Sequence, residues 1–109
     1  MNGIFGALRL PASVVFGSGQ RKAIGMMAAQ IGKRALVCTD ARMGQDSEFK
    51  AIVADIAANG VEVKVYDRTE ADLPMAGITA CVAEYANYKP DMVLGIGGGS
   101  CMDMAKCVA

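Results

Sequence analysis

Residues 91–106 read Asp-Met-Val-Leu-Gly-Ile-Gly-Gly-Gly-Ser-Cys-Met-Asp-Met-Ala-Lys and give the strongest indication of the fold. The apolar first part of this stretch, residues 92–96, is typical of a strand that is buried on both faces of a parallel sheet. Residues 95–100, which we call the glycine loop, lead from that strand directly into a segment with helical character. Because glycines let a ligand approach the main chain and a helix N-terminus attracts anions, this junction predicts a phosphate-binding site.

A purely structural explanation of the glycine loop competes with the phosphate site. The glycines could form only a tight turn, with Ser100 as the N-cap of the helix and Asp103 completing a capping box. Three consecutive glycines cost conformational entropy that a plain turn does not require, so phosphate binding is favoured. For the Asp103 side chain, a cap and a ligand contact stay equally open. The loop departs from the Gly-x-Gly-x-x-Gly fingerprint of ordinary Rossmann folds, since Ser100 occupies the last position.

Apolar runs alternate with segments of helical periodicity along the chain. Such alternation is typical of repeated βαβ units, which form parallel sheets. The sequence therefore predicts an α/β fold, a Rossmann-like parallel sheet with helices on both faces. The predicted strands are residues 35–39, 61–66, 92–96 and, more weakly, 13–16. The helical stripes comprise Ile24, Met27, Ala28 and Ile31, then Phe49, Ile52, Val53 and Ile56, then Ile78, Cys81, Val82 and Tyr85.

Glycine and polar residues mark the ends of the predicted helices. Gly32 and Gly60 are expected in the left-handed conformation that commonly follows a helix C-terminus. Asp46 or Ser47 is the expected N-cap of the second helix, and Pro74 is tolerated in a first turn.

The carboxylate of Asp40 directly follows the predicted strand 35–39. At the carboxyl end of a parallel strand, such a group can accept both ribose hydroxyls of adenosine, and it repels a 2′-phosphate. A lone aspartate there is more often a turn residue or a helix cap. The glycine loop lies at the same predicted edge of the sheet, and this pairing favours the ribose contact.

Composition restricts the classes of function. The chain has 109 residues, of which 53% are hydrophobic, and its 11 basic and 11 acidic side chains cancel. A neutral chain without a basic run argues against nucleic acid or an anionic membrane as partner. No uncharged stretch reaches the roughly 18 apolar residues that span a bilayer, and the N-terminus lacks a basic signal-peptide region. We therefore expect a cytoplasmic protein.

The chain contains no histidine and four cysteines. The first fact excludes a Ser-His-Asp triad, a Cys-His pair and any His-containing metal site made from this chain alone, so we predict no catalytic and no metal-binding residue. The cysteines form no Cys-x-x-Cys pair and are expected to be reduced thiols; they are Cys38, Cys81, Cys101 and Cys107.

Four segments together resemble the iron-containing (group III) alcohol dehydrogenase family: Phe16-Gly-Ser-Gly19, residues 35–40, residues 61–66 and residues 91–106. The Gly-Gly-Gly-Ser-x-x-Asp-x-Ala-Lys string is highly specific. The resemblance implies an N-terminal α/β domain that binds NAD(P) and an all-helical C-terminal domain that binds iron or zinc through one Asp and three His. Residues 1–109 would then be a partial N-terminal dinucleotide-binding domain, truncated before the metal-binding domain. The apolar side of the last helical segment is expected to face a sheet that would have to continue, which agrees with truncation.

The resemblance also implies roles for particular residues. The pyrophosphate would be held by Gly97, Gly98, Gly99 and Ser100. Asp103 would lie near the cofactor, Lys106 in the helix behind it, and Asp40 on the adenosine ribose, which favours NAD over NADP. Many members carry an Asn-Pro cofactor contact where this chain has Asp72-Leu-Pro74, so Asp72 is as readily a helix-start residue as a contact.

The function so implied is the NAD-binding portion of a metal-dependent alcohol dehydrogenase, which transfers hydride between an alcohol or aldehyde substrate and NAD. We expect the chain alone to be inactive and to form homo-oligomers. The alternative is a non-redox nucleotide- or phosphate-binding module, such as a fragment of a lyase related to dehydroquinate synthase.

Overall fold

The computed structural model describes residues 19–71 and 74–109, and the predicted strand 13–16 and Asp72 lie outside them. A short 3-10 helix, Gln20–Ala23, leads into the first α-helix. The α-helices are α1 (Ile24–Ile31), α2 (Ala41–Gly44), α3 (Ser47–Ala58), α4 (Met75–Tyr85) and α5 (Gly99–Val108). The strands are β1 (Arg34–Cys38), β2 (Glu62–Tyr66) and β3 (Met92–Gly95).

The described strands form one parallel sheet in the order β2-β1-β3. In its register, Ala35 of β1 pairs with Val63 of β2 on one side and with Met92 of β3 on the other. The central strand is buried from Ala35 onward, which explains its uninterrupted apolar sequence. The predicted Rossmann-like parallel sheet is confirmed. Parallel pairing brings the carboxyl ends of β1 and β3 to the same edge.

Helices cover both faces of the sheet because successive β1 side chains point to opposite sides. On one face, Leu36 and Cys38 pack in a core to which α4 and α5 contribute Cys81 and Met104. On the other face, Ala35 packs in a core to which α1 and α3 contribute apolar side chains, among them Ala28 and Ile56.

Two of the predicted helical stripes extend beyond these cores. Ile31 at the end of α1 is 65% exposed, and Val82 in α4 is 46% exposed. Each lies on a helix whose other predicted apolar positions are better buried, as with Ala28 and Cys81. Only part of each of these two stripes is therefore buried against the sheet. Within the two described ranges, no helix is both long and apolar enough to cross a membrane.

The ends of α1 and α3 follow the sequence signals in part. Asp46 is the N-cap of α3 and accepts hydrogen bonds from the N–H groups of Glu48 and Phe49. Gly60 has the expected left-handed φ of +87°. The prediction for Gly32 is wrong, since its φ of −172° is extended. Its lack of a side chain has another cause, because a Cβ there would overlap the carboxylate of Asp91.

Candidate functional site

The site is built where β1 and β3 end. Ile96 donates its N–H to the carbonyl of Cys38 at 3.1 Å, and the buried Thr39 hydroxyl donates to the carbonyl of Ile96 at 2.7 Å. These two bonds fix the start of the glycine loop against the end of β1. Our sequence analysis did not include Thr39 among the candidate site residues. The available signal was a threonine at the end of a buried strand, whose hydroxyl needs a partner.

The fold itself requires two glycines of the loop. A Cβ on Gly95 would lie 2.9 Å from the carbonyl oxygen of Cys101 and 2.9 Å from the Cα of Met102, so β3 and α5 pack closely only without it. Gly97 has a φ of +136°, which favours glycine, and a Cβ there would lie 2.9 Å from the Sγ of Cys101. Both residues are therefore glycine for reasons internal to the structure.

The next two glycines have no such reason. In the described part of the chain, and apart from the adjoining residues and the helix's own backbone, no heavy atom lies within 4 Å of the position that a Cβ would take on Gly98 or on Gly99. The φ of Gly98 is −78°, which any residue adopts. The main chain at these two positions is thus exposed and bare, that is, without a side chain. Neither packing nor backbone conformation requires glycine there.

The N-cap of helix α5 lies two residues earlier than the sequence predicts. Its N-cap is Gly98, so the assignment of Ser100 as N-cap is wrong, and Ser100 lies inside the first turn. The capping box with Asp103 is also wrong, since α5 carries no side-chain cap among the described residues; the Asp103 carboxylate instead lies 3.9 Å from the Nζ of Lys106. A first turn without a side-chain cap leaves helix N–H groups to be satisfied from outside.

Asp40 lies at the same edge as the glycine loop, as predicted. It is the N-cap of α2, and its Oδ1 accepts the N–H of Met43 at 2.7 Å. Its Oδ2 lies 3.8 Å from the Sγ of Cys101 in α5. The cap role that competed with ribose binding is confirmed, while the ribose contact stays a prediction. A carboxylate has about four acceptor sites, so the cap leaves acceptor capacity on both oxygens.

Burial disfavours the thiolate form of the core cysteines. Burial, with a smaller contribution from Cys81, raises the pKa of Cys38 to about 12. Burial, together with the negative charge of Asp40, raises the pKa of Cys101. All four cysteines are free thiols, and only Cys107 is exposed. Within residues 19–71 and 74–109, no three His, Cys, Asp or Glu side chains are placed to hold a metal ion.

Comparison with known proteins assigns the family. Residues 11–109 match the family model described as "Iron-containing alcohol dehydrogenase". The chain is 38% identical over 100 residues to the bifunctional aldehyde-alcohol dehydrogenase AdhE of Escherichia coli, covering 90% of this chain and 11% of that protein. It is 29% identical over 100 residues to the NAD-dependent methanol dehydrogenase of Bacillus methanolicus, covering 91% and 26%.

The fold gives the same result. The crystal structure of an iron-containing alcohol dehydrogenase superposes with a TM-score of 0.84 at 29% identity, covering 94% of this chain and 29% of that one. This chain thus spans less than a third of the length of each of these relatives. The match over nearly the whole chain, in sequence and in fold, shows that the chain belongs to the iron-containing alcohol dehydrogenase family.

Proposed function

We propose that the chain is the NAD-binding portion of a metal-dependent alcohol dehydrogenase, a partial N-terminal dinucleotide-binding domain. The observation that carries the proposal is the bare main chain at Gly98 and Gly99. The fold accounts for glycine at positions 95 and 97 but not at these two. A ligand that approaches the backbone closely, as a pyrophosphate does, supplies the missing reason.

The chemistry of the edge fits a dinucleotide. The N–H groups at the start of α5, from Gly98 to Ser100, would bind pyrophosphate oxygens, and the positive end of the helix dipole favours the negative charge. The Asp40 carboxylate would accept the ribose hydroxyls and disfavour a 2′-phosphate. Asp103, exposed on the second turn of α5, would lie near the cofactor without capping the helix.

The chain's own part in the reaction is to bind and orient the cofactor. A bound nicotinamide supplies hydride acceptor and donor chemistry, and an iron or zinc ion supplies Lewis-acid activation of an alcohol or aldehyde oxygen. The ligands that family resemblance implies for the metal include three His, and this chain has none. The metal-binding domain therefore belongs outside residues 1–109 in this proposal.

The test measures NADH binding by fluorescence in variants that add a side chain at position 99. Gly99→Ala introduces a good helix former into open space, and Gly99→Val a larger group. We expect NADH affinity to fall by about tenfold or more in the alanine variant, equivalent to about 1.4 kcal/mol, and to be lost in the valine variant. Thermal unfolding should change little in the alanine variant, because no atom of the described chain is displaced.

Gly77→Ala is the matched control. Gly77 lies in α4, and a Cβ there would meet only the Cε of Met104 at an ordinary 3.9 Å. NADH affinity should stay unchanged in this variant. Unchanged NADH affinity in both Gly99 variants would refute the dinucleotide site and leave the loop as a turn. Binding of a sugar phosphate in place of NADH would favour the non-redox alternative.

A further inference from the structure

The carboxylate of Asp40 is held from two directions. Its Oδ1 accepts the N–H of Met43 at 2.7 Å, within the short helix that Asp40 itself caps. Its Oδ2 lies 3.8 Å from the Sγ of Cys101, which belongs to α5. The first contact alone would leave the carboxylate free to rotate about it. The second contact links the carboxylate to the helix that follows the glycine loop.

The thiol of Cys101 is suited to be the donor in this contact. The side chain is 1% exposed, and burial together with the nearby Asp40 charge raises its pKa, so the thiol keeps its proton. An ionised carboxylate can only accept hydrogen bonds, and a thiol is a weak donor. The thiol lies directly beneath the loop, where a Cβ on Gly97 would come within 2.9 Å of the Sγ.

We infer that Cys101 is a positioning residue, which orients the Asp40 carboxylate relative to the glycine loop and thereby sets the preference for NAD over NADP. This inference rests on the proposed function. The two dinucleotides differ by the phosphate on the ribose that Asp40 would contact, whereas the pyrophosphate is common to both. A fixed carboxylate orientation favours the unmodified ribose through directed hydrogen bonds. A freely rotating carboxylate favours it less.

The experiment compares the affinities of the chain for NADH and NADPH in three variants. Cys101→Ala removes the donor and should lower the ratio of the affinities about threefold to tenfold, since a single weak donor is lost. Cys101→Ser replaces the thiol by a hydroxyl donor and should restore the ratio to within about twofold. Cys81→Ala removes another fully buried thiol, in the core between β1, α4 and α5, and should leave the ratio unchanged.

A second readout does not depend on the dinucleotides. The NMR signal of the Met43 backbone amide is sensitive to the Asp40 carboxylate, to which this amide donates its hydrogen bond. The signal should therefore shift in Cys101→Ala and return to its original position in Cys101→Ser. A general loss of packing would instead weaken NADH and NADPH equally and would not be rescued by serine. Equal affinity ratios in wild type and Cys101→Ala would overturn the inference alone. A wild-type chain that binds neither dinucleotide would overturn the proposed function and the inference with it.

Discussion

The carboxylate of Asp91 occupies the space beside Gly32 in which a Cβ would otherwise lie. From there it accepts the N–H of Lys33 at 2.9 Å and the N–H of Arg34 at 2.9 Å. The start of β1 is thereby tied to the residue that precedes β3. This contact, rather than a left-handed conformation, explains the glycine at the end of α1.

Substitution of Gly32 should therefore destabilise the sheet. Gly32→Ala would push the Asp91 carboxylate away from the two N–H groups, so the variant should unfold at a lower urea concentration than the wild type. Urea unfolding measures the loss. Gly77→Ala again serves as the control, because its Cβ meets only an ordinary contact. A Gly32→Ala chain as stable as the wild type would show that Asp91 moves without cost.

The same contact predicts a dependence of stability on pH. Hydrogen bonds from the N–H groups of Lys33 and Arg34 hold the pKa of Asp91 below its ordinary value of about 3.9. The stabilisation is therefore complete above that ordinary value and is lost as the pH falls through the lowered pKa. The difference in unfolding free energy between wild type and Asp91→Ala should be largest near neutral pH and shrink in strong acid. A difference that is independent of pH would contradict the role of the ionised carboxylate.

Asp40→Asn should relax the choice of cofactor. Asparagine keeps an acceptor for the N–H of Met43 but removes the negative charge. The ratio of NADH to NADPH affinity should fall by at least about tenfold, since hydrogen bonds to a charged group contribute about 1.5–3 kcal/mol. Asp46→Asn, at the N-cap of α3, is a control that makes the same change at the start of another helix. An unchanged ratio in Asp40→Asn would remove Asp40 from the cofactor site.

Two threonines near the site should respond oppositely to replacement by valine. The Thr69 hydroxyl is buried, at 7% exposure of the residue, and has no hydrogen-bond partner in the described part of the chain. Thr69→Val should raise the free energy of unfolding by about 1 kcal/mol, because an unsatisfied buried hydroxyl is costly. Thr39→Val should lower it by about 1–3 kcal/mol, because the carbonyl of Ile96 loses its donor. Denaturant titration measures both changes in unfolding free energy. Changes of the same sign in the two variants would contradict the different hydrogen bonding of the two hydroxyls.

The chain should self-associate in solution. Met75 is 73% exposed and Ile31 65%, and in the described sheet β2 and β3 are edge strands. Exposed apolar side chains and open strand edges are commonly hidden by association with another copy. Light scattering on the protein peak from size-exclusion chromatography should give at least the mass of a dimer. A monodisperse monomer would contradict this expectation.

The purified 109-residue chain should not reduce NAD with an alcohol substrate, whichever divalent metal is added. Hydride transfer in the proposed reaction depends on Lewis-acid activation of the alcohol oxygen, and the chain has no histidine to supply metal ligands. Absorbance of NADH measures the outcome. Metal-dependent turnover by this chain would refute the proposal that it is only the cofactor-binding portion.

Strands β1, β2 and β3, helices α1, α3, α4 and α5, and the parallel arrangement could be predicted from the sequence, whereas the short helix α2 could not. The strands and helices depend on local periodicity, which can be read from short segments of the chain. The parallel arrangement follows from the alternation of strands and helices, which brings the ends of β1 and β3 to one edge of the sheet. That is why Asp40 and the glycine loop could be predicted to lie together. Gly60 and Asp46 were also predictable, because helix termini are set by residues a few positions apart.

Only the packing of the elements against one another shows which residues hold these parts in place. Asp91 beside Gly32, Thr39 on Ile96 and Cys101 on Asp40 each join residues that are far apart in the chain. Sequence periodicity does not predict such contacts. A hydrogen bond between two elements depends on how the elements pack against each other and not on the spacing of residues within either element. For the same reason only packing showed that Gly95 and Gly97 serve the fold, whereas Gly98 and Gly99 leave the main chain open.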